Sequence, residues 1–219
     1  MYAEEMETST HSSDAITREQ LLSLGSATLG ESGGVALHPR VRAIWPGATV
    51  AGPAFTVACA PGDNLALHAA VTRAPRGSVL AVSVADDTVR GYWGEVLTTA
   101  AEAAGIVGLV IDGTVRDIGA LEVHGFPVFA RGAGLRGASK TGPGATGTVI
   151  VLGETQVAPG DWVVGDVDGV VAIPASVLAD CIAAGKGRAA KEQVFFEELR
   201  AGATTVGLLG LDVSSVQAH

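Results

Sequence analysis

The stretch "GEVLTTAAEAAGIVGLVIDGTVRD", residues 94–117, decides the fold. Its first half, 94–105, is rich in alanine, with an acid in the first turn and a glycine just past the end, so it reads as a helix. "VGLVID" (107–112) is then a short apolar, β-branched run suited to a buried strand. Upstream, "SVLAVSV" (78–84) is a second such run. Strand, helix, strand at this spacing predicts a βαβ unit whose two strands run parallel. The loops after both strands then emerge at one edge of the sheet, where open α/β sheets bind ligands. Glu95 and Arg116, 21 positions apart, are brought to that edge together with Asp117.

An anion-binding helix start, a guanidinium and two carboxylates suit an anionic ligand plus a cation. The helix opening at Gly94 presents backbone N–H groups, at about Glu95 to Leu97, to any carboxylate lying there. Asp112 stands immediately before Gly113, and Asp-Gly is a common turn pair, so a turn role for it is as good a reading as a catalytic one. Asp117 taken by itself also suits a turn; the shared edge is what favours a site.

Reading outward, residues 1–14 are expected to form a mobile N-terminal tail, and residues 15–219 one domain with no dividing linker. A short helix is expected over 17–32 and another over 63–74, capped by Asp63 or Asn64. Between them "HPRVRAIWPGATVAGPAFTVAC" (38–59) reads as loop, turn and strand, punctuated by Pro46-Gly47 and Gly52-Pro53. "LEVHGFPVFARG" (121–132) is a helix end and strand, and 132–147 a glycine-rich loop. "TVIVLG" (148–153) and "DWVVGDVDGVVAIP" (161–174) are strands with turns between them. The segment 176–202 is expected to be helical with one glycine-marked break. The result is a mixed α/β domain with a parallel centre and antiparallel pieces beside it.

Composition narrows the function. The chain has 219 residues, 47% hydrophobic and 17% charged, which allows a large core and disfavours disorder. A formal charge of −9 argues against nucleic acid, whose phosphates need a concentrated basic surface. The small clusters Arg40/Arg42 and Arg73/Arg76 suit salt bridges or a subunit contact better than RNA. The N-terminal sequence is acidic and unlike a signal peptide, and no run of 18 apolar residues is present, so neither secretion nor a membrane is expected. Cys59 and Cys181 fit no metal or redox spacing and read as buried thiols in a reduced cytoplasm.

Several chemistries lack their residues. "RGAGLRG" holds Gly132, Gly134 and Gly137 in G-x-G-x-x-G spacing, but the sequence after it is no helix former, so the dinucleotide reading loses its context. His11, His38, His68, His124 and His219 show no zinc spacing. No G-x-S-x-G occurs and Cys59 has no evident base, which disfavours nucleophilic hydrolysis. None of Lys140, Lys186 and Lys191 lies in an apolar strand, so an imine-forming lysine is disfavoured.

The residues just described resemble the RraA-like family. The likeness rests on "GEVLTTAAEAAGIVGLVIDGTVRD" and extends to "HPRVRAIWPGATVAGPAFTV", "PGDN", "APRGSVLAV", "APGDWVVGDVDGVVAIP" and "AAKEQVFFEELRAG", in family order over roughly residues 20–212. The family includes divalent-metal pyruvate aldolases that act on 4-hydroxy-4-methyl-2-oxoglutarate and 4-carboxy-4-hydroxy-2-oxoadipate. The resemblance implies a compact, single-domain swivelling β/β/α fold. It implies that Asp117 ligates a divalent ion directly, that Arg116 contacts the substrate near its 2-oxo group, and that Glu95 holds metal-bound water. The segment Gly94 to Leu97 would bind substrate, with the N–H groups of Val96 and Leu97 receiving its carboxylate. The family pattern often has Asp where this chain has Glu95, which bears on substrate preference.

Trimers or pairs of trimers are implied, with the site between subunits. Glu192 of the neighbouring subunit is a candidate to complete the metal's water shell, with Glu197 and Glu198 as competitors and a solvated helix face as the plain alternative. Oxygen ligands suit Mg²⁺ or Mn²⁺ rather than zinc. The expected activity is retro-aldol cleavage of a 4-hydroxy-2-oxo acid to pyruvate and a second oxo acid, with oxaloacetate decarboxylation through the same enolate. The rival from another class is a non-catalytic regulator docking on an RNA-degrading enzyme, since the family contains such proteins. A quinone-precursor methyltransferase, a label some such sequences carry, would need the nucleotide pocket that the glycine motif fails to supply.

Overall fold

In a computed structural model of the chain, which describes residues 17–84 and 89–217, a nine-stranded sheet carries the molecule. Its centre is the predicted βαβ unit. β4 (Val79–Val84) and β6 (Gly108–Asp112) run parallel, with Val79 opposite Gly108 and Ser83 opposite Asp112. α3 (Glu95–Ala104) connects them and ends at Gly105, whose φ of 79° only a residue without Cβ adopts readily. β8 (Val128–Ala130) extends the parallel centre beside β6, and β3 (Val50–Cys59) flanks β4 on the other side. The strands are buried almost throughout, as parallel strands covered on both faces must be. β14 (Trp162–Gly165) and β15 (Val170–Ile173) add the antiparallel edge, and β1 (Val35–Ala36) and β2 (Arg42–Ala43) close the two ends. The mixed α/β architecture, parallel at its centre and antiparallel beside it, is therefore the one the sequence predicts.

Gly52-Pro53 is not a break, contrary to expectation. Both residues lie inside the ten-residue β3. Residues 50–53 pair antiparallel with β14, and 54–59 pair parallel with β4, so Pro53 stands where the strand changes partners. Its missing N–H costs least there. Gly52 is needed because a Cβ would lie 2.9 Å from the Gly77 carbonyl oxygen and 3.0 Å from Val79.

A second, four-stranded sheet stands beyond the first. β4 is followed by β5 (Arg90–Gly91), β6 by β7 (Thr114–Val115) and β8 by β9 (Gly132–Ala133). With β10 (Arg136–Gly137) these form a small parallel sheet in the order β10-β5-β7-β9. The stretch 132–147 is thus only partly loop: it supplies β9, β10 and β11 (Gly144–Thr146), the last paired to β3. Its glycine motif opens no helix, as expected.

The helices fall near their predicted places. One spans residues 17–30 (α1), followed by α2 (Leu65–Arg73) and α4 (Ile118–His124). The expected glycine break in the C-terminal helix does not occur. α5 (Leu178–Arg200) runs unbroken through Gly185 and Gly187, because Gly185 is buried where the helix meets Leu24 of α1 and packing holds it helical. β12 (Ile150–Leu152) and β13 (Thr155–Val157) form a hairpin, and α6 (Thr205–Leu209) ends the chain's helices. The predicted tail 1–14 lies outside the described residues.

Candidate active site

A cleft of about 230 Å³ opens where α3 starts and β7 ends. Gly94, Val96, Leu97, Arg116 and Asp117 line it, so the βαβ topology brings these predicted residues together. The Arg116 N–H donates to the Trp93 carbonyl at 2.9 Å, and the Tyr92 N–H donates to that of Thr114, which locks the start of α3 to the end of β7.

Asp117 has a left-handed backbone, φ 58° and ψ 34°. Aspartate tolerates this region better than most side chains, yet it is a cost that surroundings must offset. The residue stands at the N-cap of α4, but its side chain makes no capping hydrogen bond there. The carboxylate instead reaches across to α3, where Oδ2 accepts the Glu95 N–H at 3.1 Å. Arg116 Nε lies 3.6 Å from the same oxygen. A Cβ at position 94 would run into this carboxylate, so Gly94 is the cradle that lets it sit against the helix start. Both side chains remain accessible, Arg116 at 44% and Asp117 at 40%. Along the first turn of α3, the N–H groups of Val96 and Leu97 precede the point at which helical bonding begins, since Thr98 N–H is the first to reach back, to the Gly94 carbonyl.

Glu95 stands at the rim. Its carboxylate lies 3.7 Å from His124 Nε2 and is 57% exposed, and it does not line the cleft. His124, at the end of α4, also bonds Glu102 at 2.9 Å. Glu192 does not line the cleft of its own chain; it pairs with Arg188, whose Nε lies 3.0 Å away one turn earlier on α5. Asp112 takes the structural role of its two readings. It is 8% exposed and accepts from Arg40 Nε at 3.0 Å, Arg131 Nε at 2.5 Å and the Gly153 N–H at 3.2 Å. Burial alone would raise this carboxyl, but the two arginines outweigh it and hold the group at about 2. Cys59 and Cys181 are buried thiols, and burial pushes Cys59 up to about 12, which favours the thiol over the reactive thiolate.

Three residues that motif reading passed over also line the cleft: Asn64, His68 and Lys140. Asn64 and His68 lie four apart on one face of the start of α2. Lys140 belongs to a loop fastened by the buried Asp63, whose Oδ2 accepts from Ser139 Oγ at 2.8 Å and from the N–H groups of Thr141 and Gly142 at 2.7 Å each. Burial opposes ionisation of Asp63, yet these donors and the Leu65 N–H hold its carboxyl well below the usual range. The quoted "PGDN" was the available signal, since Asp63 and Asn64 are its last two residues.

Among the described residues no three His, Cys, Asp or Glu side chains gather as a metal site. One half-exposed carboxylate in a glycine cradle does fit an ion that keeps most of its water, as Mg²⁺ or Mn²⁺ does, and does not fit tetrahedral zinc.

The sequence model of the RraA-like family, described as Aldolase/RraA, matches residues 13–172. A protein of Halalkalibacterium halodurans provisionally named 4-hydroxy-4-methyl-2-oxoglutarate aldolase is 42% identical over 125 residues, 57% of this chain and 60% of that protein's own length. A Pseudomonas syringae protein of unassigned function superposes with a TM-score of 0.77 at 28% identity, covering 87% of this chain and 91% of the other. Streptomyces coelicolor RraAS2, described as an unusual member of the RNase ES inhibitor RraA protein family, superposes with a TM-score of 0.73 at 27% identity, covering 85% and 98%.

Proposed function

This chain belongs to the RraA-like family, and on that premise we propose that it is a divalent-metal-dependent lyase that cleaves a 4-hydroxy-2-oxo acid of the 4-hydroxy-4-methyl-2-oxoglutarate type to pyruvate and a second oxo acid. The observation that carries this reading is the meeting of Asp117, Arg116 and the first turn of α3 in one cleft.

Asp117 would hold Mg²⁺ or Mn²⁺, with Glu95 at the rim steadying a water of its shell. When bound, such an ion supplies Lewis acidity toward the substrate's carboxylate and keto oxygens. The N–H groups of Val96 and Leu97 receive the substrate carboxylate, as helix starts receive anions. Arg116 donates to the keto oxygen. As the C3–C4 bond breaks, its electron pair moves onto C3 and is delocalised to that oxygen, where the fixed guanidinium stabilises the growing charge. The C4 hydroxyl gives up its proton to water in the open cleft and becomes the carbonyl of the second product, and the enolate takes a proton back from that water at C3 to give pyruvate. Loss of carbon dioxide from oxaloacetate puts charge on the same oxygen, so decarboxylase activity accompanies the lyase.

The proposed substrate is a small 2-oxo acid, and the proposed reaction gives no part to nucleic acid or a membrane. No helix among the described residues is long and apolar enough to cross a membrane. A cytoplasmic homotrimer or pair of trimers is the proposed assembly. Support comes from the C-terminal segment, where no residue of 201–217 is buried on its own chain and Leu209 and Leu211 are about half exposed. In that assembly Glu192 of the neighbouring subunit would be the candidate to complete the water shell.

The test is Asp117→Ala. It is expected to abolish Mg²⁺-dependent pyruvate release while the melting temperature stays within a few degrees; undiminished turnover would refute the assignment. The second reading, a regulator docking on an RNA-degrading enzyme, is favoured by the likeness to RraAS2. Capture of a ribonuclease by the full chain, together with no lyase activity on any 2-oxo acid, would put it first.

A further inference from the structure

The cleft has a polar pole that the steps above leave unused. Asn64 Nδ2 donates to the Tyr92 carbonyl at 2.8 Å, which fixes the amide so that Oδ1 is its other end. That Oδ1 and His68 Nε2 are both buried and, among the described residues, both lack a hydrogen-bond partner. Native proteins seldom leave buried polar atoms unpaired unless something else binds there. Both residues line the same cleft as Arg116 and Asp117, and Lys140 lines it with them. Burial, and then the charge of Lys140, push the His68 imidazole below its ordinary range. It is therefore neutral near pH 7, with one ring nitrogen donating and the other accepting.

The donor and acceptor capacities define the ligand. Asn64 Oδ1 can only accept, so the group it meets must carry a hydrogen. A lysine ammonium can only donate and is cationic, so its partner is an anion. A hydroxyl beside a carboxylate answers both requirements, whereas a simple 2-oxo monoacid has no hydroxyl to offer and its one carboxylate is already taken by the first turn of α3.

We propose that Asn64, His68 and Lys140 read the C4 end of the substrate: Asn64 Oδ1 accepts the C4 hydroxyl hydrogen, His68 Nε2–H donates to that hydroxyl oxygen, and Lys140 pairs with a carboxylate beyond it. This inference rests on the lyase reading and deepens it, assigning the residues that read the hydroxyl and the second carboxylate of such a substrate. The Asp63 clasp on Ser139, Thr141 and Gly142 keeps Lys140 in position for this, and the face of α2 keeps Asn64 and His68 in step.

The experiment uses the full chain with Mg²⁺, comparing wild type, His68→Ala and His68→Gln. It measures kcat/KM on 4-hydroxy-4-methyl-2-oxoglutarate and the inhibition constant of pyruvate, which has no C4. His68→Ala should lower kcat/KM about 10- to 100-fold, the range for a site that loses a hydroxyl contact, with pyruvate inhibition changed less than about 3-fold. Glutamine, whose amide nitrogen reaches nearly where Nε2 stood, should restore kcat/KM to within about 5-fold of wild type. An equal loss for substrate and pyruvate, or no loss for either, overturns the inference while leaving the lyase intact. A wild-type chain that cleaves no 4-hydroxy-2-oxo acid refutes the lyase reading itself, and this inference with it.

Discussion

Asp117 shows how a single residue acquires a role its neighbours in sequence do not announce. Its left-handed backbone turns the carboxylate away from the helix it begins and onto the first N–H of α3, twenty-two positions earlier. Arg116-Asp117 was legible as a charged pair after an apolar strand; the backbone angle that aims it was not. Gly94 completes the arrangement by having no Cβ. Gly94→Ala should therefore displace the carboxylate and lower Mg²⁺-dependent activity at least about 10-fold, because mispositioning by a fraction of an ångström to an ångström is costly at a reacting centre. Since the clash falls on a half-exposed side chain, the thermal midpoint should move by only a few degrees, as calorimetry would register. His68 and Lys140 escaped for a different reason. Zinc spacing and imine chemistry are patterns along the chain, and neither describes what a neutral hydrogen-bonding histidine or an exposed lysine does beside a cleft.

Among the elements, β3 is the instructive case. Glycine-proline normally punctuates, and here it marks a change of partner inside one strand. Which strand lies alongside is a property of the assembled sheet, so local turn preference had no means of registering it. Gly52→Ala is expected to destabilise the fold by about 1–3 kcal/mol, the usual range for overpacking, because backbone and a core valine surround the site. Chemical denaturation would measure it, and a change under about 0.5 kcal/mol would show that the strands have slack. The short strands β5, β7 and β9 teach a related lesson. Two residues carry too little periodicity to be seen, yet they move the site from the edge of β4 and β6 to the edge of a second sheet. α5 likewise passes through Gly185 because packing against Leu24 outweighs its poor helix propensity.

At the scale of the whole molecule, Asp112 ties distant pieces together. Arg40 before β2, Arg131 after β8 and Gly153 in the β12–β13 turn all donate to it at the end of β6. Its carboxyl is held at about 2 in the folded chain against roughly 3.9 when unfolded. Between those values the unfolded chain binds the extra proton, so this contribution is complete above about pH 4 and is lost as the pH falls through about 2. It amounts to on the order of 2 kcal/mol. Unfolding free energies followed from pH 5 down to pH 2 should fall by that much more in wild type than in Asp112→Asn. Parallel curves would show that the arginines do not act through this carboxylate.

The sequence by itself determined the βαβ centre, the buried thiols, the class of the fold and the adjacency of Arg116 and Asp117. These depend on local spacing and on the need to hide apolar runs, both of which are written along the chain. The tertiary structure alone decided that Asp112 is a structural clamp, that Glu95 faces His124 at the rim, and that Asn64, His68 and Lys140 share the cleft with Asp117. The physical reason is that hydrogen-bond partners and burial are set by segments far apart in sequence, and their meeting depends on how the sheet is assembled rather than on any short pattern of residues.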